Sequence, residues 1–304
     1  MTFQESNYTA REPKEIMAEH GKSFYWASHL FSKSRFQDVA LLYAFCRYVD
    51  DTADETEQSE AKGALASLKQ DFYNSERPFI RKVRMCFSRL GINAGYGDQL
   101  ISGAEFDVNQ GEIKTHKDLL VYCYKVAGVV GLMMCPVIGV NKDEGDAFAL
   151  DLGIGMQLTN ICRDILEDAQ NDRCYLPQDE LEVRGILRGQ LRVQGETPQA
   201  LKTLLKYYLD IADEYYESGS MGYCHIPFRP RLAILVAAKV YQAIGKKIRR
   251  NDYNVLAGRT FLGSGEKLWV TAKALFGVLH PNFWTGNQHR KSLHQGLRGL
   301  PGVH

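Results

Sequence analysis

Apolar residues recur along this chain at intervals of three and four, the period of an amphipathic helix, and strand-like alternation is hard to find. Val39, Leu42, Tyr43, Cys46 and Tyr48-Val49 trace one such face. Leu150, Ile154, Met156, Leu158, Ile161 and Ile165 trace a second. Leu201, Leu204, Leu205, Leu209 and Ala212 make a third, and Leu232, Leu235, Val236, Val240 and Ile244 a fourth. Breaks fall near Gly91-Ile92-Asn93, between Gly139 and Gly145, at Gly195-Glu196-Thr197-Pro198 and from Ile226-Pro227 to Pro230. No repeat or low-complexity linker divides the chain. The pattern predicts one all-α domain, residues 1–304, of roughly ten helices. The most apolar run, Val126 to Val140, holds Pro136 and several glycines and is too short for an ordinary membrane span.

Two acidic motifs interrupt this apolar text. The first is Asp50-Asp51-Thr52-Ala53-Asp54; the second is Asp164-Ile165-Leu166-Glu167-Asp168. Each carries carboxylates four residues apart, on one face of a helix. On an exposed helix such a pair costs only about 0.2–0.5 kcal/mol. In a partly buried cleft, like charges ~6 Å apart repel by roughly 3 kcal/mol at an effective dielectric near 20. Such a site needs cations, and aligned carboxylate oxygens suit Mg²⁺.

Tyr43, Arg47, Asp50 and Asp54 fall on one helical face, where an arginine could fork onto phosphate while a cation bridges carboxylate and phosphate. Gln157, Asn160, Asp164 and Asp168 form a polar stripe among Leu152, Met156, Leu158, Ile161 and Ile165. A stripe of that kind must be hydrogen-bonded or bind something. Two facing helices, each giving a carboxylate pair, are a common way to build a metal site in a helical bundle. Basic and hydroxyl groups at His20-Gly21-Lys22-Ser23 and at Arg173-Cys174-Tyr175 could bind phosphate, or could be ordinary surface and core residues. The small residues of Val126 to Met133 permit close helix packing and equally leave room for a long apolar ligand.

Bulk properties narrow the field. Among 304 residues, 37 basic and 36 acidic side chains nearly cancel, so no global field points to nucleic acid. Seven cysteines form no CxxC pair and are expected to be reduced, with neither a disulfide framework nor a zinc site. Met1 to Lys22 mixes charges and has no apolar core, so a signal peptide is not expected. The expected location is the cytoplasm, at most peripheral to the inner face of a membrane. Gly153-Ile154-Gly155 lacks the third glycine of a dinucleotide fingerprint and lies in a helical pattern. From Lys267 to His304 there is no Asp or Glu, and Leu268, Ala272, Leu275, Phe276 and Leu279 form an apolar stripe. That stripe reads as a last core helix before a loosely packed basic end, or as a contact for an anionic membrane.

At these residues the chain resembles the squalene/phytoene synthase family, most closely its phytoene synthase branch. The matching text is His20-Gly21-Lys22-Ser23-Phe24, Tyr43-Ala44-Phe45-Cys46-Arg47 into Asp50–Asp54, Tyr122 to Met133, Gln157 through Asp168, and Arg173 to Leu181, with a weaker match from Tyr241 to Tyr253. The resemblance implies an isoprenoid-synthase helical bundle with a central cavity. It implies head-to-head joining of two geranylgeranyl diphosphates, through a cyclopropyl diphosphate, to phytoene. Asp50, Asp54, Asp164 and Asp168, with Asn160, would hold Mg²⁺, with Mn²⁺ as a substitute, and no NADPH is expected. His20, Lys22, Ser23, Arg47, Gln157, Arg163 and Arg173 would bind or support the diphosphate. Tyr122 and Tyr241 would lie by the reacting carbons, and Val126 and Gly131 on the cavity wall. A C15-using relative (squalene, dehydrosqualene or hydroxysqualene synthase) stays open, as do a chain-elongating prenyltransferase and a non-enzymatic assembly factor of the same fold. The oligomeric state is open as well.

Overall fold

The computed structural model describes residues 3–21, 25, 31–54, 58–74, 77–141, 144–279, 281–286 and 288–303. Among them are thirteen α-helices and no strand. They are α1 (Phe3–Ala10), α2 (Pro13–His20), α3 (Lys33–Asp54), α4 (Gln58–Asn74), α5 (Pro78–Leu90), α6 (Ala94–Val108), α7 (His116–Cys123), α8 (Val129–Ile138), α9 (Asp146–Gln170), α10 (Gln178–Val183), α11 (Gln199–Ser220), α12 (Phe228–Arg250) and α13 (Ser264–Phe276). The excess over ten comes from short helices such as α1, α2 and α10, which hold too few turns for a periodic signal. Boundaries follow local chemistry. Gly91, at φ +68°, ends α5, and Asn93 starts α6 by accepting the Gly95 N–H at 2.9 Å.

Helices α3 and α9 run through the middle of the bundle. The inner face of α3 buries Val39, Ala44, Phe45, Tyr48 and Val49, with Phe45 stacked on Phe72 and edge-on to Phe87. Helix α9 packs against α8, α11 and α12. A π-helical turn, Tyr124–Gly128, joins α7 to α8 without a break. The apolar run that looks too short in sequence is thus part of a 23-residue helix, His116–Ile138, long and apolar enough by composition to cross a membrane. Its inner face is core, since Leu119, Cys123, Tyr124, Val129 and Met133 are fully buried.

The contact between that helix and α9 is backbone on backbone. A Cβ on Gly131 would stand 2.3 Å from the Ala149 carbonyl oxygen, and one on Gly153 2.4 Å from the Ala127 carbonyl oxygen. Only hydrogen fits at either position. The small residues therefore serve close packing as well as leaving space.

The C-terminal region departs from expectation in two ways. The apolar stripe of α13 and the turn after it does not enter the core: Leu268, Leu275 and Phe276 are exposed, as is Leu279 in the turn, and Ala274 is the one buried residue of α13. The basic end is not loose throughout. Phe283, His294 and Leu297 are buried, the Tyr124 hydroxyl donates to the Pro301 carbonyl at 2.6 Å, and the Tyr215 hydroxyl to that of Leu293 at 2.9 Å. Buried tyrosines of the bundle need acceptors, and this segment supplies them.

Gly153→Ala should force α9 away from the π turn and destabilise the protein by about 1–3 kcal/mol. Chemical denaturation would read this directly, and an unchanged midpoint would refute the backbone contact.

Candidate active site

Two chambers meet inside the bundle. The first, about 340 Å³, is walled mostly by apolar groups, among them Val39, Leu42, Val130, Leu152 and Ala237. Val126, Gly131 and Tyr241 line it. The second, about 310 Å³, is polar and lined by Asp50, Asp54, Asp107, Tyr122, Gln157, Asn160, Asp164, Asp168, Arg173 and Tyr175. Asp50, Gln157 and Asn160 line both, so the two spaces join at these three side chains.

The polar chamber gathers negative charge from two sources. Among the described residues, five carboxylates face one lining arginine. Two helices also end there: α6 one residue past Asp107, and α9 two residues past Asp168. A helix C-terminus carries roughly half a negative charge, so the dipoles add to the carboxylates instead of balancing them. Burial pushes Asp50 up to about 7, opposed by Arg47 and reinforced by Asp54 and Asp107. Asp50 has the open chambers before it but protein around it, so desolvation acts on it despite its solvent-accessible surface. Burial likewise pushes Asp168 up to about 7, with Asp164 and Glu167 adding to the effect.

Asp107 was not legible in sequence as a site residue. It accepts from the Tyr122 hydroxyl at 3.0 Å and the Tyr175 hydroxyl at 2.8 Å. Burial raises it to about 6 against those two hydrogen bonds. The two tyrosine rings stack at 4.6 Å. Tyr122 thus faces the carboxylate chamber, whereas Tyr241 faces the apolar one.

The turn after α9 brings Arg173 back to the site. Asp172 takes φ +61°, and the Arg173 N–H bonds the Asp168 carbonyl at 2.8 Å. Arg173 then reaches Asp54 at 2.6 Å, linking the two acidic motifs.

Several expected ligand contacts are placed differently. Arg47 does not line either chamber: it pairs with Asp51 at 2.5 Å, and Asp51 also accepts from Tyr8. Residue 51 lies on the far side of α3 from the chamber, and the guanidinium follows it. The Arg47 Nε is buried without a hydrogen-bond partner among the described residues. Arg163 is held by its neighbour Asp164, Nε to Oδ1 at 2.8 Å, and does not line the chamber. Arg259, unmarked in the sequence pattern, binds Asp164 at 2.9 Å and Glu167 at 3.0 Å. His20 is exposed beside Glu19 at the end of α2 and lines neither chamber. Lys22 and Ser23 lie outside the described residues.

The donors suit a hard divalent cation, being carboxylate and amide oxygens with no sulfur or imidazole among them. Asn160 adds a specific sign. Its Nδ2 donates to Gln157 Oε1 at 3.4 Å, while its Oδ1 is buried with no hydrogen-bond partner among the described residues. An acceptor left in that state at the rim of a carboxylate cluster fits a cation ligand.

Comparison with known proteins agrees with this geometry. The family model described as squalene/phytoene synthase matches residues 17–266. The 15-cis-phytoene synthase of a Paracoccus species is 32% identical over 90% of this chain and 97% of its own length. That of Enterobacter agglomerans is 35% identical over 83% and 90%. A crystal structure of a dehydrosqualene synthase in complex with ligand superposes with a TM-score of 0.81 at 26% identity, covering 91% of this chain and 98% of that one. A squalene synthase from Alicyclobacillus acidocaldarius shares the fold, with a TM-score of 0.71 at 23% identity over 80% and 93% of the two chains. The chain belongs to the squalene/phytoene synthase family. It is a prenyltransferase, an all-α enzyme of isoprenoid synthesis whose curated matches include phytoene synthases.

The raised carboxylates set a pH dependence. Their folded values of about 6–7 exceed the ordinary aspartate value near 4, so the folded chain holds more protons than the unfolded one across that window. Stability of the ligand-free protein from this cluster is therefore greatest on the acid side and falls as pH rises toward 7. Asp168→Asn should flatten the fall in melting temperature between about pH 4 and 7. An unaltered pH profile in that variant would contradict the assignment.

Proposed function

We propose that this enzyme condenses two geranylgeranyl diphosphates head to head, through a cyclopropyl diphosphate, to phytoene. The joining of the chambers at Asp50, Gln157 and Asn160 carries the reading: a charged head fits one side and an isoprenoid tail the other. Asp50, Asp54, Asp164 and Asp168, with Asn160, would hold Mg²⁺ or Mn²⁺, which supplies positive charge to the departing diphosphate. Arg173 lies where it can exchange Asp54 for a phosphate oxygen. The allylic cation left behind faces apolar walls and the rings of Tyr43 and Tyr241, which favour positive charge. A chamber of that composition keeps competing water away. The overall reaction releases two diphosphates and two protons, one as the cyclopropyl diphosphate forms and one as the final double bond forms, and consumes no reductant, so NADPH is not required.

The test is a pair of incubations with Mg²⁺ and without NADPH, products identified by mass. Geranylgeranyl diphosphate should give a C40 hydrocarbon. A C30 product from farnesyl diphosphate, with none from the C20 substrate, would assign the enzyme to the C15-using group instead. Asp164→Asn should lower turnover by about 10²-fold or more with the helical signal intact. Full activity in that variant would remove Asp164 from the mechanism.

A phytoene-sized product is insoluble in water, and the outer face of α13 offers a place for its release. Trp269 (70%), Phe276 (72%) and Leu279 (80%) stand exposed, with Lys267 and Lys273 on the same helix. We infer that this face rests on an anionic membrane from the cytoplasmic side, apolar rings in the interface and lysines at the headgroups. The protein should sediment with phosphatidylglycerol vesicles and not with neutral ones, and Trp269→Glu with Phe276→Glu should abolish this. Wild-type protein left in the supernatant would refute the docking.

A further inference from the structure

Asp151 lies in α9 between Leu150 and Leu152 with no exposed surface. Its two oxygens are each met by an imidazole from the C-terminal segment. His294 Nε2 stands 2.7 Å from Oδ1, and His289 Nε2 stands 2.9 Å from Oδ2. The two imidazole rings are 4.4 Å apart, and the three donor atoms lie within 4.8 Å of one another. Among the described residues no lysine or arginine pairs with Asp151. A carboxylate removed from water needs positive charge beside it. Here only an imidazolium or a metal ion can supply it.

We propose that Asp151, His289 and His294 form a binding site for a zinc-type transition-metal cation, distinct from the carboxylate chamber. Two imidazole nitrogens with one carboxylate suit Zn²⁺, whereas Mg²⁺ prefers an all-oxygen shell. Donors each about 2.0–2.1 Å from a tetrahedral ion are about 3.3 Å apart, so each imidazole nitrogen needs to part from its Asp151 oxygen by about half an ångström to admit one. The ion replaces the proton on each Nε2. A neutral imidazole shifts its proton to Nδ1, and an imidazolium releases one to solvent. Asp151 is nine residues from Asn160, about 13 Å along the helix, so the two sites do not share ligands.

The location gives the ion a structural role. Phe148, one turn before Asp151, lines the apolar chamber and meets the His289 ring edge-on at 5.4 Å. Bound metal would fasten residues 289–294 to α9 directly behind that wall.

The experiment uses the full chain, stripped with chelator and titrated with Co²⁺ alone. Visible absorption reports imidazole-bound tetrahedral cobalt, and Zn²⁺ serves as competitor. An Asp50→Asn, Asp164→Asn variant removes the contribution of the chamber. One equivalent of cobalt should give the spectrum in both proteins, yield to one equivalent of Zn²⁺, and raise the melting temperature. His289→Ala and His294→Ala should each lose the spectrum and the thermal shift. His289 is the more exposed of the two and its variant is the milder test of folding. No cobalt spectrum in the wild type would make the cluster a purely hydrogen-bonded clasp and overturn the proposal. A spectrum that survives in His289→Ala would do the same.

Discussion

Asp50, Asp54, Asp107, Asp164 and Asp168 repel one another across a chamber onto which two helices turn their negative ends, and the rest of the bundle resists that repulsion. Arg173 ties the two motifs together, while Arg163 and Arg259 grip Asp164 from behind. Arg47 does the same on α3 by neutralising Asp51, the one acid of the first motif that faces away. Apolar contacts anchor both helices along their other sides, with Phe45 between Phe72 and Phe87 and Thr159 bonded to Tyr216. The negative field is thus held in place by the fold and is ready for cations and the anion they carry.

Much of this was legible in the sequence because it rests on spacing within one helix. Acids four apart point the same way wherever the helix lies, and Gln157, Asn160, Asp164 and Asp168 share a face for the same reason. The breaks at Gly91 and Gly139 followed from backbone chemistry and stand where expected. Asp107 was hidden because its role depends on two tyrosines 15 and 68 positions away. Nothing on α6 sets it apart from its neighbour Glu105. Arg259 was hidden similarly, since its partners on α9 lie about 90 residues earlier. The direction of Arg47 was misread for a subtler reason: helical spacing allows it to turn toward either Asp50 or Asp51, and burial of Asp51 decides the matter.

The C-terminal region inverts the ordinary rule that apolar helices go inside. On α13 the large apolar groups face outward, while farther on a histidine is buried against an aspartate. Periodicity alone cannot distinguish these cases, because a stripe made for lipid and a stripe made for core have the same spacing.

The close approach of Gly131 and Gly153 to opposing carbonyls has a consequence for how the enzyme can change. Along that side two of the lining positions are glycines packed on opposing main chain, where there is no side chain to trim and any added one strains the helix contact. Another part of the wall is formed by Ala233, Ile234 and Ala237 of α12, where each side chain can be enlarged or exchanged independently. Descendants of this protein that accept longer or shorter prenyl tails would therefore diverge along one flank and remain nearly invariant along the other.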